Sequence, residues 1–530
     1  MSFTEVIRGF VLLWLLTLAA SGVVIRPDAS DAFFASTNIS RFKITIAPAE
    51  VVKLQREPHA YVHAVVLIDD RFQFADAAVH IKGGAGSLRP FNDKPALTIS
   101  FSKYEETKFM GLRKIHLNNS VQDPSYMTEN LCGRLFREAG VPAPRVTNAR
   151  VWLNGRDLGL FVLIEGFTKD FLKRWFTDTS GNLYDGGFVQ EITERKEAVN
   201  GADPKNQSDL KVLADAAREA DPVKRFERMD KVLDVDRFIS FVVMELMTGH
   251  WDGYTVNRNN YRMYHDPTTD KIVFFPHGMD QMFSSQYNLR QPPLNGLVAS
   301  GLMSTPEGQR RYRERIGVLY TKAFKLEAIT NQVNDIEARC RPALVEYNQG
   351  FAREFAGQAA GVRERVRAMD AHLRRQFDMP EPVPLKFDPQ GRAKLVLPWE
   401  PKIDSGEPKL DRAIEPAKEG ERSIFHINAG GSAVASWRAR LVIPAGKYLL
   451  TGSVRTEGVV AQKDEVGTGV GLRISGMNRA NKLAGTAAWT TLEFPFEATD
   501  LSTEVELICE LRARKGQAWF DGESFKLLRK

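Results

Sequence analysis

Residues 250–261 read HWDGYTVNRNNY, and FFPHGMDQMF follows with Asp280. Asp252 in the first stretch offers a carboxylate that can accept or orient a hydroxyl proton. Asp280, with the amide oxygen of Asn257 or Asn260, offers hard oxygen ligands of the kind Mg²⁺ or Mn²⁺ prefers. The plain reading of the same letters is a helix end at Gly253 followed by asparagine caps and turns. Upstream, IKGGAGSLRP at 81–90 supplies Lys82, Gly83 and Gly84 in a turn whose backbone can approach phosphate oxygens closely. Lys94 emerges just after that turn, and Glu129 and Glu138 follow as acids able to orient it.

These groups need elements to hold them. FKITIAP, AYVHAVVLID, AAVHIKG and ALTISF are short, β-branched and partly alternating, so they read as strands flanking the glycine turn. DPSYMTENLCGRLFREAGVP reads as a helix closed by Gly140. Two apolar runs around Asn154-Gly155 read as a hairpin. RFISFVVMELMTGHW reads as a buried helix that delivers His250 and Asp252 at its end, and the next segment as strand, turn, strand. Residues 305–377 are helical in pattern. His250 and His277 read as structural histidines, and Asp123, Asp185 and Asp266 as turn residues.

His250, Asp252 and Asn257 have the spacing H-x-D-x-x-x-x-N, in which the Asp serves the acceptor hydroxyl and the Asn a metal ion. The order of glycine turn, lysine, helix, hairpin, Asp-x4-Asn, hairpin and Asp is the linear order of a kinase. In these segments the chain resembles the CotH kinases, atypical secreted protein kinases. The resemblance covers roughly residues 60–375 and is most specific in HWDGYTVNRNNYRMYHDP with FFPHGMDQMF. It implies a bilobed kinase-like fold that binds ATP and Mg²⁺ or Mn²⁺ and phosphorylates Ser or Thr on proteins. On that resemblance Lys94 touches the phosphates, Asp252 is catalytic and Asp280 binds metal. The kinase spacing favours Asn257 as the second metal ligand and the family's N-N-Y block favours Asn260. Glu165 stands where a hinge passes the adenine. Lys82 takes the place where the family usually has Arg.

The whole expectation is an α+β protein. An atypical protein-kinase-like bilobed domain spans 40–378, a Pro-rich linker 379–400, and an all-β, jelly-roll-like sandwich 401–530. Arg8 followed by FVLLWLLTLAASGVVI marks residues 1–25 as a signal peptide or signal anchor, which implies a secreted, periplasmic or cell-surface protein. The net charge of +6 over 530 residues, without a Lys/Arg run, disfavours nucleic acid as partner. Cys132, Cys340 and Cys509 lie too far apart for a metal motif or a disulfide scaffold. Metal-assisted phosphoester hydrolysis would leave Lys94 without a role. The rival to an active kinase is an inactive kinase-like surface protein whose terminal domain binds glycan or another cell-surface ligand. Trp437, Trp489 and Trp519 lie in that domain and are expected in its core.

Overall fold

The computed structural model describes residues 25–530 apart from 85, 197, 202–204, 379–384, 417–420, 463–466 and 499–502. Nearly all of the expected leader lies outside the described residues. No helix among the described residues is long and apolar enough to cross a membrane. The chain forms two compact units, Met1–Asp378 and Met379–Lys530.

The first unit begins with seven strands: β1 (Ser40–Thr45), β2 (Val62–Ile68), β3 (Phe72–Lys82), β4 (Ala96–Ser100), β5 (Lys114–Asn118), β6 (Val146–Leu153) and β7 (Arg156–Glu165). They close into a barrel in the order β1-β2-β3-β4-β5-β7-β6. Every pairing is antiparallel except the seam, where Ser40–Ile44 runs parallel to Ala149–Leu153. The alternation expected in the sequence is visible in β2, where Val62, Ala64, Val66 and Ile68 face inward and His63 and Val65 face water. Closure itself was not anticipated. It shows that the continuous apolar run of β7 serves two cores: Phe161 and Leu163 join the barrel interior, while Leu160, Val162 and Ile164 join the helical core. The β6–β7 hairpin turns at Asn154 and Gly155 with φ of 47° and 79°, the two left-handed positions that an Asn-Gly turn supplies.

Helix α1 (Thr128–Glu138) leaves the barrel, with Leu131, Cys132, Leu135 and Phe136 buried. Helix α2 (Val235–Met247) is largely apolar and buried from Phe238 to Met247, with Glu245 as its one buried charge, so it forms the spine of the helical core. A single helical turn, α3 (Tyr254–Asn257), leads to β10 (Tyr261–Asp266) and β11 (Lys271–Pro276). These two strands join the short β8 (Leu183–Asp185) and β9 (Ala198–Asn200) in a sheet ordered β11-β10-β8-β9. Helices α4 (Leu297–Met303), α5 (Pro306–Lys322), α6 (Leu326–Tyr347) and α7 (Gln349–Asp378) complete the unit.

The second unit is all β: β12 (Arg392–Lys394), β13 (Glu400–Ser405), β14 (Lys409–Pro416), β15 (Glu421–Ala429), β16 (Ala433–Ile443), β17 (Gly446–Ala461), β18 (Gly469–Ile474), β19 (Gly485–Ala498), β20 (Thr503–Asp521) and β21 (Lys526–Arg529). Long β20 pairs with β16 and β18 through its first half and with β15 and β17 further on, linking two layers around one apolar core. The segment expected as linker is largely part of this unit. Arg392–Lys394 pairs with β21, the Leu385 amide donates to the Val442 carbonyl, and Leu395 and Trp399 are buried. Trp437 lies in the core as expected. Trp489 and Trp519 do not. They stand half-exposed in a cross-strand stack, His426 on Trp519 with ring centroids 4.7 Å apart, then Arg455, then Trp489.

Candidate active site

The end of α2 and the turn α3 present Asp252. Three carboxamides close on its carboxylate: Asn257 Nδ2 donates to Oδ1 at 2.6 Å, and Asn259 and Asn260 donate to Oδ2 at 3.0 and 2.8 Å. An ionised carboxylate only accepts, so each amide turns its NH₂ towards Asp252 and its oxygen away. Asn259 passes its oxygen to the Val189 amide. The amide oxygens of Asn257 and Asn260 have no partner among the described residues and remain available as ligands. Arg258 and Asn260 adopt left-handed backbone, at φ of 55° and 49°, which lets the amides fold back on one point.

Glu245 on α2 fixes this loop from beneath. Fully enclosed, it accepts the amides of Tyr254 and Thr255 at 2.9 and 2.8 Å, capping α3. A Cβ on Gly253 would lie 2.3 Å from Glu245 Oε1, so the glycine is required for the cap. Glu245→Ala leaves two buried N–H groups without acceptors and is expected to cost about 2–4 kcal/mol in denaturant unfolding. Burial pushes the Glu245 carboxyl up to about 7. Its folded value lies above its unfolded one, so its contribution to stability is fullest at low pH and is lost as pH rises through 7. The melting point of wild type relative to Glu245→Gln should therefore fall between pH 5 and pH 8.

The loop after β11 brings Asp280 to a second cluster. Glu129, on the first turn of α1, accepts the Met279 amide at 3.1 Å, and Thr128 Oγ1 donates to the Asp280 carbonyl at 3.0 Å. Asp123 takes the Thr128 amide at the start of the same helix and shares the one Thr128 hydroxyl proton with the Asp280 carbonyl, and its charge reaches Asp280. Lys82, at the end of β3, lies in the field of both Glu129 and Asp280. Burial lowers the Lys82 ammonium and the two carboxylates raise it, while burial and the neighbouring Asp280 push Glu129 up. Asp280 itself is pushed up to about 6 by burial and by Asp123, with Asp252 adding to the effect. A concentration of carboxylates relieved by one lysine suits a divalent cation. Nearby, burial first and then the charges of Lys82, Lys114 and Arg262 drive enclosed His116 well below its usual range.

Lys94, expected at the phosphates, is placed elsewhere. Its ammonium donates to Tyr126 Oη at 2.8 Å and the Leu160 carbonyl at 2.9 Å, and packs over the rings of Tyr126 and Phe161. Lys82 is thus the lysine beside the acidic pair. Glu165 is also committed: 1% exposed, it holds Arg145 through both oxygens, at 2.5 and 3.0 Å, and Arg145 reaches on to Asp28 and Asp31. Its carboxylate is taken up by the Arg145 side chain and backbone. Glu165→Ala is expected to cost on the order of 3 kcal/mol of stability through the broken buried pair and to leave the ATP KM unchanged. Gly83 has φ of 117°, open only to glycine, and the Gly84 amide donates to Ser87 Oγ at 3.1 Å, closing the turn upon itself. Glu138 pairs with Arg134 on the surface, leaving Glu129 as the orienting acid.

Several residues of the cleft carry no motif signal. Asp185, read as a turn residue, pairs with Arg262 at 2.6 Å. Buried His277 leaves Nε2 without a partner among the described residues, and its carbonyl receives His250 Nε2 at 3.2 Å. Among the described residues no three His, Cys, Asp or Glu side chains could hold a metal by themselves. The groups whose chemistry would suit a hard divalent cation are the Asp280 carboxylate and the amide oxygens of Asn257 and Asn260, all oxygen donors.

The chain matches the family described as CotH kinase protein over residues 79–375 and belongs to that family. It is 23% identical to inner spore coat protein H of Bacillus subtilis over 365 residues, 64% of this chain and 97% of that protein. It is 23% identical to invasin CotH2 of Rhizopus delemar over 292 residues, 48% of each, so the match spans about half the length of that relative. Among solved structures, the proinflammatory kinase CtkA of Helicobacter pylori aligns over 57% of this chain and 98% of its own, at 8% identity and a TM-score of 0.28. That score is too low to carry over fold or ligand.

Proposed function

We propose that the chain is a metal-dependent protein kinase that transfers the γ-phosphate of ATP to Ser or Thr hydroxyls. The observation that carries this reading is that Lys82, Glu129 and Asp280 share one field, which also feels Asp252, and that three asparagines hold the Asp252 carboxylate. Lys82, Lys114 and Arg262 bind and orient the phosphates. Glu129 fixes the loop that carries Asp280. Asp252, restrained by its amides, orients the acceptor hydroxyl and takes its proton. Asp280 with Asn257 or Asn260 would hold Mg²⁺ or Mn²⁺, which supplies charge neutralisation to the transferring phosphoryl group. Most of the rate enhancement then comes from positioning and charge stabilisation.

The kinase-like bilobed arrangement belongs to the same reading. So do protein acceptors at the cell surface, which the invasin and spore-coat names of the relatives support. Melting of the full chain with ATP, with Mn²⁺ and with both tests the site, because a ligand of the folded state alone raises the melting point. A shift that needs both ligands and vanishes in Asp280→Ala is expected. No shift at millimolar ligand would sink the reading.

A further inference from the structure

The second unit holds a cavity of about 740 Å³ whose wall includes Arg473, Arg479, Arg512 and Arg514 but one described carboxylate, Glu510. The sequence places three of these on one face of β20, since Glu510, Arg512 and Arg514 alternate with buried Leu511 and Ala513. Arg473 comes from the neighbouring strand β18, whose Leu472 lies opposite Cys509.

The four guanidiniums are not equivalent. Arg479, wholly buried, is saturated: Nε donates to Glu510 Oε1 at 2.9 Å, Nη1 to the Asn481 carbonyl, and Nη2 to the carbonyls of Gly467, Thr468 and Gly469. Gly471 makes room for it, since a Cβ there would lie 2.5 Å from Arg479 Nη1. Arg473 and Arg512 share the remaining oxygen, each Nε at 3.1 Å from Glu510 Oε2. The angle at Arg512 is poor, and its buried Nε makes no hydrogen bond. Arg514 gives Nε to the Gln462 carbonyl. The Nη groups of Arg512 and Arg514 have no partner among the described residues, and that of Arg473 has only a 3.4 Å contact with the Ile474 carbonyl.

Guanidinium charge gathered around a cavity, with planar N–H pairs left open, fits a planar or tetrahedral oxyanion bound by forked hydrogen bonds. We infer that this cavity is a binding site for an oxyanion-bearing ligand, a carboxylate or phosphate carried on a small molecule or on an acidic saccharide. The Trp489–Trp519 stack is a poorer site on the same unit. His426 and Arg455 cover the ring faces of Trp519, and Arg422 and Arg455 pack over Trp489, so the stack holds its own strands together.

Titration calorimetry of the full chain tests the inference independently of kinase activity. The probes are inorganic phosphate, galacturonate and polygalacturonate, with neutral dextran as the uncharged comparison. Binding of at least one anionic probe is expected, weakened tenfold or more in Arg512→Gln and in the double variant Arg512→Gln/Arg514→Gln, with unchanged melting points. Both positions lie at the rim and leave the Arg479–Glu510 pair intact. Phosphate alone would identify a phosphate-bearing ligand, and uronate alone an acidic saccharide. Equal binding of dextran, no binding of any probe, or affinities unaltered in the variants would overturn it.

Discussion

Asp252→Ala is expected to reduce phosphoryl transfer by roughly 10³-fold or more, towards the upper range for loss of a positioned proton acceptor. The affinity for ATP with Mn²⁺ should stay within about threefold of wild type, because the proposed function gives the phosphates to Lys82 and Asp280 and leaves Asp252 to the acceptor. The variant should remain folded, since two of the three amides released by the missing carboxylate, Asn257 and Asn260, are partly exposed and can turn to water, and buried Asn259 keeps its bond to the Val189 amide. Single-turnover transfer to a generic acceptor, with nucleotide binding measured alongside, separates the two effects. If ATP affinity collapses with transfer, Asp252 serves the nucleotide and its assignment to the acceptor is wrong.

The second large effect distinguishes two lysines. Lys82→Ala should lower transfer by about 10²–10³-fold and raise the ATP KM, because it removes the charge facing the developing phosphate negative charge. It also leaves Glu129 and Asp280 facing one another without their cation, which drives them further towards protonation. Lys94→Met should behave oppositely. It orphans the Leu160 carbonyl and Tyr126 hydroxyl and costs about 1–3 kcal/mol of stability, with transfer per folded molecule little changed. Transfer kinetics and denaturant unfolding of both variants decide the matter. Loss of transfer in Lys94→Met with a normal Lys82→Ala would restore the assignment suggested by sequence.

The contrast between these lysines shows what a sequence carries. Local chemistry was legible: the Asn154-Gly155 turn, Gly140 ending α1, the largely apolar α2, and a polar loop presenting Asp252 all follow from short-range rules. What was not legible depends on which strand lies beside which. Lys82 and Lys94 flank the same glycine turn, and only the pairing of β3 with β4 and the position of α1 put the first beside Glu129 and turn the second towards β7. Glu165 ends an apolar strand in a place that suits a hinge. Its partner Arg145 lies at the start of β6, and that long-range charge pair has no sequence signature. Asp185 read as a turn residue because its partner, Arg262, arrives from a strand much later in the chain. Trp489 and Trp519 were misplaced for a related reason, since aromatic residues on an alternating strand declare a face but not which face.

The parallel seam between β1 and β6 has a consequence for the order in which the molecule assembles. The meander from β2 to β5 can form from neighbouring hairpins, whereas Ser40 must wait for Ala149 before the circle is complete. Contacts so distant along the chain form late and slow the overall rate. Until then β1 and β6 each keep one free edge, and the barrel interior that takes in Phe42, Ile44 and Val151 stays open at that side. Weakening the seam is therefore expected to slow closure of the barrel in refolding more than it lowers final stability.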